Sequence, residues 1–213
     1  MFLVDLHTHT SYGSACGYMT PDELARRAKF IGLHGVCITD HNHIWDGEMI
    51  RRLSSDHEIT VIGGAEVTTE YGDVLVFGLH RPVRDVSRIE DLKVMVDAEG
   101  GVMVAAHPFR GEFSFVNVPP AMGEIRQRPL FGFLDGLEVC NGLSGQKERE
   151  FAARVAAELG LADTGGSDAH AVLGIGRCFT VFEQPIGSEE DLIQSIKERR
   201  CRGALWNGAL LRK

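Results

Sequence analysis

The sequence predicts an α/β fold in which buried strands alternate with amphipathic helices. Two observations support this prediction: short apolar runs rich in β-branched residues recur along the chain, and the segments between them carry helix-start signals. Such alternation is typical of a parallel sheet, either open or closed into a barrel. No internal repeat or long linker interrupts the pattern, so we expect one domain over residues 1–213.

The strands are predicted from runs that are short, apolar and bounded by glycine or polar turns. They are Phe2–Leu6, Gly35–Thr39, Ile59–Ala65, Val74–Leu79, Val102–Ala106, Leu134–Val139 and Leu161–Gly165.

The intervening helices are predicted from their capping residues. Thr20-Pro-Asp-Glu23 combines an N-cap, an N-terminal proline and a capping-box glutamate, and Ser144 is the expected cap of a helix over Gln146–Leu159. One junction departs from the alternation. The chain between Glu66 and Val74 is too short for a helix and contains a hairpin-like turn, so we expect an irregular, antiparallel insertion there.

Composition narrows the function classes. With 22 Lys and Arg against 30 Asp and Glu, the net charge of -8 disfavours a long nucleic-acid footprint. The sequence contains no run of roughly 18 apolar residues, so no membrane span is predicted. The opening residues show no signal-peptide pattern, and we therefore expect a cytoplasmic protein. The five cysteines are scattered without a C-x-x-C pair, which argues against a disulfide framework and a thiolate zinc site.

Most of the nine histidines lie directly after predicted strands, and this placement indicates where a functional site would form. In parallel β/α folds the C-terminal ends of the strands converge on one face, where active sites form. The imidazole, carboxylate and amide groups at these ends are His7, His9, His41, His43, Glu66, His80, His107, Glu138, Asn141, Asp168 and His170.

Spacing supports a metal centre at this face. His7 and His9 share one side of an extended backbone, as do Asp168 and His170. Imidazole and carboxylate suit Zn²⁺, Mn²⁺ or Fe²⁺, and the two oxygens of Glu66 suit a bridge between ions about 3.5–4 Å apart. Either pair by itself often occurs in proteins that bind no metal. Metal binding is predicted only because both pairs lie at strand ends together with Glu66 and His107.

Several neighbouring residues have more open interpretations. His34 and His57 are expected on the surface, and His43 is either a neighbour of the ligands or an exposed loop residue. Asp40 is predicted to orient an imidazole rather than to bind an ion. Cys140 is either a nucleophile near the site or, more simply, a buried strand cysteine.

The motifs resemble, in order, those of the PHP (polymerase and histidinol phosphatase) superfamily. The matching segments are Asp5-Leu-His-Thr-His9, Ile38-Thr-Asp-His41, Gly64-Ala-Glu66, Ala106-His-Pro108 and Gly166-Ser-Asp-Ala-His170. The resemblance implies a distorted (β/α)7 TIM-like barrel with up to three divalent ions (Mn, Fe or Zn) at the C-terminal ends of the strands. It also implies phosphoester hydrolysis, which characterised members mostly perform.

The resemblance further implies a ligand set for each ion. The first ion takes His7, His9, Glu66 and Asp168; the second takes Glu66 and His107, with His80 as third ligand; the third takes His41 and His170. Two departures from the family pattern stand out. The stretch Gly13-Ser-Ala-Cys16 lacks the usual acid or histidine, so either Cys16 substitutes as a thiolate or the third site is weak or empty. The register of the short segment leading to His80 is ambiguous.

The expected function is hydrolysis of a phosphomonoester or phosphodiester by a metal-activated hydroxide at a di- or trinuclear site. The substrate would be a small phosphorylated metabolite or a nucleotide, with no membrane partner, and the oligomeric state is undetermined. Two alternatives stay open: a metallo-amidohydrolase, which the same ions would serve, and a non-catalytic metal-binding accessory module. The predicted catalytic residues are Asp168, His170, His41 and Arg110.

Arginines and one loop are assigned to substrate binding. The guanidinium of Arg110 matches phosphate geometry, although an exposed loop arginine is the competing interpretation, and Arg177 is a weaker candidate. The irregular segment Gly111–Phe131 is a candidate lid over the site. Its aromatic, proline and arginine residues are Phe113, Phe115, Pro119, Pro120, Arg126 and Arg128.

Overall fold

The computed structural model describes residues 1–83, 86–112 and 119–206. The strands are β1 (Phe2–Asp5), β2 (Gly35–Ile38), β3 (Thr60–Gly63), β4 (Ala65–Thr69), β5 (Gly72–Phe77), β6 (Val102–Ala105), β7 (Gly136–Asn141), β8 (Ala162–Gly166), β9 (Cys178–Phe182) and β10 (Cys201–Leu205). The α-helices are α1 (Pro21–Ile31), α2 (Gly47–His57), α3 (Ile89–Ala98), α4 (Met122–Gln127), α5 (Gln146–Leu159) and α6 (Glu189–Lys197).

The strands form two mixed sheets of five strands each. The first has the order β10-β9-β1-β2-β3 and the second has the order β4-β5-β6-β7-β8. Strands β1, β2 and β3 are parallel, as are β6, β7 and β8, whereas β9, β10 and the β4–β5 hairpin introduce antiparallel pairs. The α/β class is therefore confirmed, but a closed seven-stranded barrel is not formed by the residues that the structure describes.

The difference arises at the third predicted strand and at the C-terminal part of the chain. The run Ile59–Ala65 is divided between β3 and β4, which belong to different sheets. Strands β9 and β10 were not predicted from sequence. Two isolated parallel bridges, between Thr8 and Ala169 and between His41 and Glu66, connect the sheets beside the candidate site.

Apolar side chains from both sheets meet in a shared core. Leu6, Leu75, Val104 and Phe182 are each at most 1% exposed, and they belong to one cluster that joins the two sheets. Within the described residues, no helix is long and apolar enough to cross a membrane.

Helix capping largely follows the sequence signals. The Thr20 hydroxyl accepts the Glu23 backbone N–H at 3.2 Å, and Glu23 Oε2 accepts the Thr20 N–H at 2.8 Å, so the predicted capping box at α1 is formed. The predicted cap of α5 is displaced by one residue. Gly145 is the N-cap there, and the Glu148 carboxylate accepts its backbone N–H at 2.8 Å.

The cysteine prediction is wrong for one pair. Cys140 of β7 and Cys178 of β9 form a disulfide, with Cα atoms 5.7 Å apart and a sequence separation of 38. This pairing also removes Cys140 as a candidate nucleophile in the observed state. Cys16, Cys37 and Cys201 are free thiols.

Candidate metal centre

Glu66 lies at the middle of a buried cluster of imidazoles. Its Oε2 is 3.2 Å from His7 Nε2, 3.2 Å from His9 Nε2 and 3.2 Å from His41 Nδ1. Its Oε1 faces the other way, 3.0 Å from His107 Nε2. The Glu66 side chain is 1% exposed, and those of His7 and His9 are fully buried. One carboxylate oxygen therefore faces three imidazoles and the other faces a fourth.

Asp168 closes the same cluster from the loop after β8. Its Oδ1 lies 3.2 Å from His9 Nε2 and 3.5 Å from His7 Nε2. His107 Nε2 lies 3.9 Å from Asp168 Oδ2, and His170 Nδ1 lies 2.9 Å from the Asp168 carbonyl oxygen. The ends of β1, β2, β6 and β8 and the start of β4 thus meet at one point.

The structure brings together seven of the eight predicted metal ligands. They are His7, His9, His41, Glu66, His107, Asp168 and His170.

His80 is the exception, and its assignment is corrected. Its side chain is 68% exposed, and its Nε2 lies 3.3 Å from Glu189 Oε2 at the start of α6. The reason is strand direction: β5 is antiparallel to both of its neighbours, so its C-terminal end points away from the metal centre. Its N-terminal end, which begins at Gly72, lies at the site instead.

Asp73, at that N-terminal end, is the residue that sequence reasoning missed. One carboxylate oxygen of Asp73 lies within 4.8 Å of donor atoms of both Glu66 and His107. Thr68 Oγ1 donates a hydrogen bond of 2.8 Å to Asp73 Oδ1, which fixes the carboxylate. The hairpin predicted from sequence could have identified Asp73. Thr68 pairs with Asp73 in this hairpin, and because side chains alternate along a strand, Glu66 and Asp73 lie on the same face of the sheet.

Cys16, which the sequence offered as a substitute ligand for the third ion, lies beside the cluster. Donor atoms of Cys16, His9, His41 and His170 lie within 4.8 Å of one another. Burial raises the pKa of the Cys16 thiol, and the nearby Asp40, Glu66 and Asp168 carboxylates raise it further.

Two of the site residues have left-handed backbone conformations. His107 has φ of 31° and Asp168 has φ of 53°, a region that non-glycine residues rarely occupy. Each is fixed by a hydrogen bond, because the His107 N–H donates to Glu138 Oε2 at 2.8 Å and the Asp168 N–H donates to the His7 carbonyl at 2.8 Å. Strained backbone held by its surroundings is often found at functional sites.

Buried carboxylates support the cluster from behind. Glu138 Oε1 lies 3.1 Å from His7 Nδ1, and its Oε2 accepts a hydrogen bond of 3.0 Å from the Asn141 amide. Asp5 accepts backbone N–H bonds from Ser167 and Gly176 at 2.8 and 2.9 Å. Burial raises the pKa of Asp5 to about 6.

Asp40 has a different role from the one predicted. Its carboxylate accepts hydrogen bonds from the Thr10 N–H and hydroxyl, both at 2.7 Å, and from Trp45 Nε1 at 3.2 Å. It therefore holds the loop after β1 rather than an imidazole. His43 packs against Tyr12 and Trp45 rather than joining the cluster.

The electrostatics of the cluster follow from its composition. Burial opposes ionisation of Glu66 and Asp168, but the nearby His7 and further donors hold the pKa of both carboxyl groups well below the usual range. Burial likewise opposes a charge on His7, yet Glu66, Glu138 and Asp168 together raise its pKa well above the usual value. Burial lowers the pKa of His41.

Arg110 reaches the site from the loop after β6. Its guanidinium donates to Asp168 Oδ2 and to Asn141 Oδ1, the latter at 2.8 Å. Its side chain is 35% exposed, and a single nitrogen, Nη2, makes both contacts.

The predicted lid is partly helical. Phe113 and Phe115 lie outside the described residues, whereas α4 and a short 3-10 helix over Pro129–Gly132 occupy its second half. Arg126 pairs with Glu158, and Arg128 pairs with Glu112 at 2.9 Å.

The donor set fits divalent metal ions. Buried imidazole nitrogens and ionised carboxylate oxygens converge within ligating distance of common points, in the combination that Zn²⁺, Mn²⁺ and Fe²⁺ accept. A second layer of carboxylates orients the imidazoles, as is usual at metal sites.

Fold and site together define an α/β protein with a buried cluster of histidines and carboxylates that could hold metal ions. A model of the PHP domain matches residues 5–118, and a second model, described as PHP-associated, matches residues 146–201. The chain therefore belongs to the PHP domain family.

Relatives and solved structures agree with this membership. A protein of Thermoanaerobacter sp. named "Probable phosphatase" is 26% identical over 226 residues, covering 90% of this chain and 89% of that protein. An uncharacterized protein of Methanocaldococcus jannaschii is 27% identical over 146 residues, 64% of this chain and 80% of the other.

Two solved structures share the fold at low identity. One is a two-domain Bacteroides vulgatus protein described as containing a predicted PHP-like metal-dependent phosphoesterase; it has a TM-score of 0.74 at 19% identity and covers 96% of this chain and 64% of that one. The other is an amidohydrolase from Chromobacterium violaceum with bound sulfate, with a TM-score of 0.67 at 16% identity, covering 92% and 96%.

Proposed function

We propose that this protein is a metal-dependent phosphoesterase that hydrolyses a phosphomonoester or a phosphodiester at a centre of two to three divalent ions. The observation that carries the proposal is the position of Glu66, whose Oε2 faces His7, His9 and His41 while Oε1 faces His107. A carboxylate placed in this way is suited to bridge ions about 3.5–4 Å apart. PHP family membership and relatives named for phosphatase or phosphoesterase activity support this reaction class.

The ligands divide into overlapping sets around Glu66. His7, His9, Glu66 and Asp168 would hold the first ion, and Glu66 with His107 would hold the second. Asp73 takes the place in the second set that was expected for His80. His41 and His170 lie on the remaining side. Mn²⁺, Fe²⁺ and Zn²⁺ all suit these nitrogen and oxygen donors.

Bound divalent ions would lower the pKa of a water molecule to about 7 and neutralise phosphate oxygens. The chain itself supplies positioning. The outer part of the Arg110 guanidinium is free to donate to a phosphate beside Asp168, in the fork geometry that phosphate prefers. His41 and His170 would assist the leaving oxygen, either by holding a third ion or as protonated imidazoles.

The surroundings favour a small substrate. A cavity of about 260 Å³ adjoins the centre and is lined by Tyr71, Asp73, His107 and Arg128. It has room for a small phosphorylated metabolite or part of a nucleotide. The net charge of -8 opposes an extended nucleic-acid contact.

Phosphate release tests the proposal. The metal-free chain is reconstituted with Mn²⁺, Fe²⁺ or Zn²⁺ and assayed on a panel of phosphomonoesters, phosphodiesters and amides. We expect phosphate release that chelator abolishes and that His7→Ala reduces together with metal content. His34→Ala is the matched control, since His34 lies on the surface and its ring contacts Phe2 and the Leu3 N–H, not the cluster.

Three outcomes would overturn the proposal. Turnover that survives chelation would exclude metal dependence. Cleavage of C–N bonds without phosphate release would select a metallo-amidohydrolase. Full metal occupancy with no turnover on the panel would indicate a metal-binding accessory module.

A further inference from the structure

The loop after β1 brings a thiol to the outer side of the metal centre. The Sγ of Cys16 and one ring nitrogen each of His9, His41 and His170 lie within 4.8 Å of one another. His9 is already surrounded by Glu66 and Asp168, with its Nε2 3.2 Å from each. Cys16, His41 and His170 therefore form a separate set of three donors from three distant segments of chain.

The loop that carries Cys16 is tied directly to the other two donors. The Ser14 hydroxyl accepts the His41 backbone N–H at 2.9 Å, and the Tyr18 N–H donates to the His170 carbonyl at 2.8 Å. Cys16 lies between these two attachment points. Its position relative to both histidines is thus set by hydrogen bonds and not by its own side chain.

Gly17 shows how closely this loop is folded. A Cβ at Gly17 would lie 2.3 Å from the carbonyl carbon of Thr10 and 2.4 Å from its oxygen, so only glycine fits there. The Ser11 N–H also donates to the Met19 carbonyl at 2.8 Å, which closes the loop. These contacts hold Cys16, which is partly buried, against the cluster.

We propose that the Cys16 thiolate is the third protein ligand of an ion that His41 and His170 also bind. The inference rests on the proposed metal centre and assigns a sulfur ligand to its third ion. One sulfur and two nitrogen donors form a soft set that favours Zn²⁺ or Fe²⁺ over Mg²⁺ or Mn²⁺. Three protein ligands leave one position open, which is the arrangement of catalytic rather than structural zinc sites.

This set differs from the one on the opposite side of Glu66. Glu66, Asp73 and His107 supply two oxygens and one nitrogen, a harder combination that suits Mn²⁺. The Cys16 flank is therefore expected to prefer Zn²⁺ over Mn²⁺ more strongly than the flank of Glu66, Asp73 and His107 does.

Cobalt spectroscopy tests the thiolate ligand without reference to activity. The metal-free chain is titrated with Co²⁺, and a sulfur-to-cobalt charge-transfer band is followed in the near ultraviolet. We expect the band in the wild type and in Cys201→Ser, and its loss in Cys16→Ser. Cys201 is a matched control because it is also a partly buried free thiol but lies in β10. Zinc content should fall by about one ion per chain in Cys16→Ser only.

Thiol protection provides a measurement that needs no variant. Alkylation of Cys16 in the wild type, read by mass spectrometry, should slow at least tenfold when Zn²⁺ is added. An undiminished cobalt band in Cys16→Ser, or equal alkylation with and without Zn²⁺, would overturn the inference. Phosphate release without any thiolate band would leave the proposed function standing, whereas the band without any turnover would remove that function and retain the Cys16 site.

Discussion

His7 Nδ1 lies 3.1 Å from Glu138 Oε1, and both side chains are at most 1% exposed. The other oxygen of Glu138 accepts the backbone N–H of His107, whose φ is 31°. One buried carboxylate thus orients the imidazole of one candidate ligand and holds the strained backbone of another. Glu138 therefore positions one residue facing Glu66 Oε2, His7, and one facing Glu66 Oε1, His107.

Glu138→Gln is expected to weaken metal binding without unfolding the chain. A glutamine has one acceptor oxygen where Glu138 has two, so an N–H of His7 or His107 would face an amide N–H. Loss of such a supporting carboxylate typically lowers metal affinity about 10–100-fold. Zinc competition with a chromophoric chelator measures the change. The exposed Glu158→Gln is the control, and equal affinities in the two variants would contradict the role of Glu138.

Asp73→Asn and His80→Ala are expected to have opposite outcomes. Asp73→Asn removes a charged donor from the set formed with Glu66 and His107, and should reduce bound Mn²⁺ by about one ion per chain. His80→Ala should leave metal content unchanged, because His80 pairs with Glu189 away from the centre. Elemental analysis of both variants after dialysis against limiting Mn²⁺ measures the bound metal per chain. Loss of metal in His80→Ala alone would restore the assignment made from sequence.

Arg110→Lys should raise KM more than it lowers kcat. Lysine keeps the charge but cannot donate in a fork to both Asp168 and a phosphate. Hydrogen bonds to charged groups are worth about 1.5–3 kcal/mol, so a loss in kcat/KM of about 10- to 100-fold is expected. Steady-state kinetics on the best substrate of the panel measure it. Arg126→Lys, on the surface beside Glu158, should change neither constant, and a similar loss there would point to a general effect of charge.

Metal affinity is expected to increase with pH. In the metal-free chain burial opposes the His7 charge, but Glu66, Glu138 and Asp168 raise its pKa well above the usual value. These carboxylates therefore favour the protonated imidazole, and an ion must displace that proton. Affinity should rise by about tenfold per pH unit while one proton is released. Calorimetry in buffers of different ionisation enthalpy counts the protons, and a count of zero would contradict the expectation.

Gly166→Ala should destabilise the fold and the metal centre together. A Cβ at Gly166 would lie 2.4 Å from the His7 Cβ and 2.7 Å from the His7 backbone nitrogen. Overpacking of this kind costs about 1–3 kcal/mol, and the shift of His7 should also lower metal affinity. Urea unfolding measures the stability. Gly123→Ala, in the open space around α4, should instead stabilise by about 0.5–1 kcal/mol.

The sequence predicted which residues the structure gathers around Glu66 more accurately than it predicted the strands that carry them. His7, His9, Asp168 and His170 were found from alternation and from their positions after apolar runs, both of which are local properties of the chain. The disulfide between Cys140 and Cys178 could not be found in this way, because the two cysteines are 38 positions apart and no spacing motif links them.

By itself, the sequence determined the α/β class and predicted most of the side chains that cluster around Glu66, because hydrophobic periodicity and residue chemistry are local properties of the chain. Only the tertiary structure decided between His80 and Asp73. The direction of β5 depends on which strands it pairs with, and its antiparallel pairing turns Asp73 towards Glu66 and His80 away from it. The same holds for Cys16, whose place beside His41 and His170 depends on backbone hydrogen bonds between segments far apart in sequence.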